Sequence, residues 1–92
     1  MKIVQTRTFS IAIKKLHINQ KKDLDDAVRV IIADPSIGES KAGDLAGVSV
    51  YKFKMVKQLT LLAYTYSDQT VTLTLLSLGS HENFYRDLKK SS

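Results

Sequence analysis

Residues 48–78 read VSVYKFKMVKQLTLLAYTYSDQTVTLTLLSL, a run rich in β-branched and aromatic side chains that divides into three strands. The predicted strands are VSVYKFKM (48–55), LTLLAYTYS (59–67) and TVTLTLLSL (70–78). The connectors VKQ and DQ are short enough for antiparallel hairpins, so the C-terminal half reads as a meander. Alternation along the first strand sends Tyr51, Phe53 and Met55 to one face and Val50, Lys52 and Lys54 to the other. The aromatic face is the expected core.

Upstream of the meander the hydrophobic period changes. KIVQT supports a short first strand, and a helix is predicted from near Thr8, with Phe9, Ala12, Ile13 and Leu16 on one side and His17 at its end, facing water. Asn19 is the expected N-cap of a second helix, whose Leu24, Ala27, Val28, Ile31 and Ile32 form one apolar stripe. Asp23, Asp25 and Asp26 crowd its first half, where the helix dipole favours negative charge. Without adjacent metal ligands they read as a solvated face. Pro35 stops the helix, and PSIGESKAGDLAG (35–47), holding three of the four glycines, bridges to the strands. Ser80 is placed to cap a final helix from about Glu82 to Lys89, with Phe84 and Leu88 packing at i, i+4. The fold class is α+β, with helices packed on one face of the sheet.

At 92 residues the chain makes one domain, 1–92. With no cysteine it has neither disulfides nor a thiolate site, and His17 and His81 are too few for a histidine-built metal centre. No cofactor or metal is expected. The longest N-terminal apolar run, FSIAI, is shorter than a signal-peptide core, so a cytoplasmic location is expected. Fourteen Lys and Arg against nine Asp and Glu give +5, which favours an anionic partner but serves solubility equally well.

Two features carry candidate chemistry. Lys52 and Lys54 stand about 7 Å apart on one strand face, a spacing that suits consecutive phosphates, though a solvated face explains lysines too. His81 falls at the start of the final helix, where the dipole disfavours imidazolium, and Tyr85 follows one turn later. A phenol, an imidazole and two ammonium groups suit metal-free RNA cleavage through the 2′-hydroxyl: a base takes that proton, the lysines stabilise charge growing on the phosphate, and an acid protonates the leaving oxygen. The competing reading makes His81 a neighbour of the cap.

The order of these pieces, DPSIG, then LAG before VYKFKM, then LTLLAY, then LTLLSLGSHENFY, resembles the RelE/ParE superfamily of toxins from bacterial type II toxin–antitoxin systems. The likeness runs from Phe9 to Leu88. It implies an N-terminal helical hairpin packed on a small, mainly antiparallel sheet, with a short C-terminal helix. It also implies growth arrest, a cognate antitoxin partner and a toxin–antitoxin hetero-oligomer. For RelE-like members the resemblance implies ribosome-dependent mRNA cleavage, with Lys52, Lys54, His81 and Tyr85 as the catalytic set. One departure stands out: where RelE-like nucleases commonly hold an arginine just before LxY, this chain has Leu61. ParE-like members are understood to inhibit DNA gyrase without nuclease residues, which is the alternative.

Overall fold

The structure, a computed structural model, describes residues 1–80, 84, 85 and 88. Strand β1 (Lys2–Gln5) leads into helices α1 (Arg7–Lys14) and α2 (Ile18–Ala33). Strand β2 (Glu39–Ser40) precedes β3 (Ser49–Met55), β4 (Gln58–Ser67) and β5 (Thr72–Gly79). The sheet order is β1-β5-β4-β3-β2, antiparallel throughout except where β1 lies parallel to β5. The three predicted strands form the meander at its centre, each within two residues of its expected start.

Thr6 explains why α1 begins slightly before the predicted Thr8. Its Oγ accepts from the Phe9 amide at 3.2 Å and donates to the Leu76 carbonyl at 2.7 Å, capping the helix and tying it to β5. Leu76 is the extra residue of a bulge: Ala63 faces Ser77 but Tyr64 faces Leu75. The cap of α2 also differs from expectation. His17, exposed, takes the cap position in place of Asn19, because its amide donates to Gln20 Oε1 at 2.8 Å while the Asn19 carboxamide turns onto the Gln20 amide. At the other end Asp34 accepts from the Ser36 amide and hydroxyl, and Pro35 opens a 3-10 turn, so the helix stops where the sequence placed its end.

The predicted stripe of α2 is the buried one. Leu24 and Ile31 join Phe9, Met55, Leu62, Tyr64, Leu73 and Leu75 in the main core, with Val28, Ile32, Tyr51 and Phe53 packed against it. The expected assignment of the aromatic face of β3 therefore holds. The opposite face is not simply solvated. Leu45, Val50, Leu61, Ala63, Phe84 and Leu88 form a second apolar cluster there. Val50, grouped by alternation with the two lysines, is 2% exposed.

Tyr64 crosses from the sheet to the end of α2. Its hydroxyl donates to the Pro35 carbonyl at 2.7 Å and accepts from the Gly38 amide at 2.9 Å. Gly38 is required there, since a Cβ would lie 2.5 Å from the phenol oxygen.

The β3–β4 turn places two non-glycine residues at positive φ, Val56 at 49° and Lys57 at 68°. Asp23 helps to hold it: its carboxylate accepts from the Val56 amide at 2.8 Å, so this aspartate is not the purely solvated residue expected from sequence. A β-branched residue is strained in that region. Replacing Val56-Lys57 by Asn-Gly is expected to stabilise the fold by roughly 1–2 kcal/mol, seen as a higher denaturant midpoint with an unchanged slope. A lower midpoint would show that the native side chains contribute more than their backbone strain costs.

Candidate functional site

The site is built on the second face of β3. Lys52 and Lys54 are both exposed, on alternate residues of the same strand. Lys52 pairs across with Leu61, and Leu61 with Gly79, so one row crosses three strands. Gly79 therefore stands two strands from Lys52, about 10 Å away. The row beyond holds Lys54 opposite the exposed Leu59.

Leu61 is fully buried under Phe84 and Leu88, in the same cluster as Val50 and Ala63. Leu61, the departure from the RelE-like pattern, is thus a packing residue. A guanidinium in that place would be driven out of water beside apolar neighbours, and several kcal/mol of desolvation would oppose it.

Tyr85 meets the ring of Phe84 edge to face, with centroids 5.3 Å apart. The ammonium of Lys41 lies 5.1 Å from the Tyr85 ring centre and 3.2 Å from Glu39 Oε1. Hydrogen bonding to the Tyr85 side chain, then to the Glu39 carboxylate, raises the Lys41 pKa above the ordinary lysine value. Tyr85 thus associates with Lys41 at the β2 side of the face. His81, the fourth candidate, lies outside the described residues.

Lys41 and Glu39 were not legible in the sequence as site residues. They sit in the glycine-rich stretch that reads as loop, and a two-residue strand leaves no periodic signal. The only hint was the ESK spacing, which alternates acid and base on one face once a strand is assumed.

Among the described residues, α1, α2 and the five-stranded sheet make an α+β fold of the RelE/ParE superfamily type. More closely, the chain belongs to the ParE-like toxins of type II bacterial toxin–antitoxin systems, whose family profile matches residues 3–89. Solved structures share the fold at low identity. The toxin-antitoxin complex RelBE of E. coli matches at 20% identity and a TM-score of 0.70, over 88% of this chain and 96% of that chain. A mutant of E. coli toxin RelE in the free state matches at 16% and 0.75, over 98% and 90%. A YoeB/ParE toxin from Agrobacterium tumefaciens matches at 19% and 0.69, over 88% and 99%. No curated protein sequence matches the chain. The protein is the toxin of a type II toxin–antitoxin system. Among the described residues no helix is long and apolar enough to cross a membrane.

Proposed function

We propose that this toxin arrests growth as a ribosome-dependent, metal-independent mRNA endoribonuclease. The observation that carries the reading is the pair of exposed ammonium groups, Lys52 and Lys54, on a face where the row of Lys52 ends at Gly79, two residues before His81. In the reaction, one proton-transfer group removes the 2′-hydroxyl proton as that oxygen attacks the adjacent phosphorus. The bond to the 5′-oxygen breaks, that oxygen takes a proton from an acid, and a cyclic phosphate remains. Lys52 and Lys54 stabilise the negative charge that grows on the phosphate oxygens. His81 serves as acid or base, and Tyr85 completes the set. The protein acts in the cytoplasm, where mRNA and ribosomes are.

Two observations favour a second reading, inhibition of DNA gyrase by binding alone. The family matched is the ParE-like one, and Leu61 supplies packing where an arginine would supply a phosphate contact. The readings separate on inducing the chain alone in a bacterial host and following amino-acid and thymidine incorporation over the first minutes. Prompt collapse of protein synthesis, with DNA synthesis lagging, is the expected result. Early loss of DNA synthesis would instead transfer the target to gyrase.

For the antitoxin, the proposal is an acidic or amphipathic segment lying across the helical hairpin of α1 and α2 and the sheet edge. A groove there is lined by Ile3, Ile13, Leu24, Val28 and Ile32 together with Lys14, Lys21 and the Asp25–Arg29 ion pair. Failure of the neighbouring reading frame's product to co-purify with the toxin would remove this assignment.

A further inference from the structure

The shortest strand carries a side chain with an unexpected task. β2 pairs Glu39 with Val50 and Ser40 with Ser49, and the Lys41 amide donates to the Val48 carbonyl at 2.9 Å. Three successive backbones are therefore held by β3. Alternation sets Glu39 and Lys41 on the face that also carries Val50, Lys52 and Lys54.

The Lys41 side chain is 20% exposed, against 65% for its partner Glu39. With Ala42, Gly43, Asp44 and Leu45 it walls a shallow hollow whose remaining side is Tyr85. A cation within about 6 Å of an aromatic centroid is drawn to the ring, and here the separation is 5.1 Å. The raised pKa of Lys41 agrees with an ammonium engaged by both neighbours.

Its place along the sheet decides which group it serves. Lys41 is level with Val48, four residues and about 13 Å along β3 from Lys52. The group that Lys41 meets is Tyr85, whose ring centre lies 5.1 Å from its ammonium. Its effect on catalysis has to pass through Tyr85.

We propose that Lys41 is a positioning residue: its ammonium, steadied by Glu39, clamps the Tyr85 ring and so seats that side chain on the RNA-bearing face. The catalytic half of this inference rests on the nuclease reading. The clamp itself rests on geometry alone.

The test uses the full chain with K41M, which keeps the aliphatic stem and removes the charge, and K41R, which restores a cation able to stack on a ring. Carbon-13 resonances of the tyrosine rings are recorded first, with Tyr85 assigned from Y85F. K41M is expected to move the Tyr85 signals and leave those of Tyr51, Tyr64 and Tyr66 in place. In ribosome-dependent cleavage K41M is expected to lower kcat about tenfold with KM unchanged, since a small misplacement of a reacting-site group costs rate rather than affinity. K41R should restore both readouts.

Unmoved Tyr85 resonances in a folded K41M would overturn the clamp. A rise in KM with kcat intact would make Lys41 an RNA contact, and failure of K41R to recover activity would leave it a structural lysine; either outcome overturns the positioning role. If K41M does not fold, E39Q takes its place: a smaller shift of the same Tyr85 signals supports the clamp, and none refutes it. Should the wild-type chain cleave nothing, the nuclease reading fails, and the resonance comparison still decides whether Lys41 holds Tyr85.

Discussion

Tyr64→Phe is expected to lower the stability of the fold by about 2–3 kcal/mol and its melting temperature by roughly 10–20 °C. The ring itself would keep its place in the main core, where Tyr64 is fully buried. What disappears is the oxygen that joins two backbone groups across a sequence separation of 29 and 26 residues, the Pro35 carbonyl and the Gly38 amide. Each is left without its partner at a partly buried position, and an orphaned group of that kind costs about 1–3 kcal/mol. For a domain of this size such a loss is a substantial part of the total. The measurement is denaturant unfolding, where the midpoint should fall and the slope stay constant. A loss under about 1 kcal/mol would mean that water replaces the phenol at both partners.

The same residue sets an alkaline limit. Burial raises the Tyr64 pKa above that of an ordinary phenol, with the Gly38 amide opposing the rise. The folded state then holds the phenolic proton more tightly than the unfolded chain does. This contribution is complete below the unfolded value of about pH 10 and is lost as pH rises through the folded one. Unfolding midpoints of the wild type should therefore decline above about pH 10, and Tyr64→Phe should show a shallower decline.

The second large effect concerns activity. The double variant K52A/K54A is expected to lose at least about a hundredfold in mRNA cleavage, since removal of a single charge-stabilising donor typically costs that much. Its stability should change by no more than about 0.5 kcal/mol, because both side chains project from the exposed part of the β3 face. Cleavage on purified translating ribosomes should fall, and viable counts after induction should rise correspondingly above those of the wild type. Full toxicity of the double variant, with DNA synthesis the first process to stop, would remove the nuclease reading and leave gyrase as the target.

Much of this architecture was legible because it depends on local periodicity. The stripe from Leu24 to Ile32 repeats at helical spacing, and 48–55 alternates at strand spacing, so each segment declares which side must be buried. Pro35 marks the end of α2 because it carries no amide hydrogen and clashes with a preceding turn. The cap of α2 was misplaced for an equally local reason. Asn19 has the better capping side chain, but the Gln20 carboxamide reached back to the His17 amide and started the helix earlier.

The candidate site divides along the same line. Lys52 and Lys54 were readable as a pair because two residues along a strand always share a face. Leu61 was recognisable as a departure from the family pattern, but not as a buried neighbour of Lys52 beneath Phe84 and Leu88.

By itself the sequence determined the α+β class, the three-strand meander, the face of α2 that packs and the two lysines that point away from the main core, all consequences of side-chain period within single elements. Only the tertiary structure decided that β1 lies parallel to β5, that the second sheet face carries its own apolar cluster, and that Lys41 and Glu39 reach Tyr85. The β1–β5 pairing and the Lys41–Tyr85 contact join residues 44 or more positions apart, the second cluster gathers side chains from Leu45 to Leu88, and the Glu39–Lys41 pair is itself placed by pairing to β3. Their energies depend on register and burial between elements, which no local pattern records.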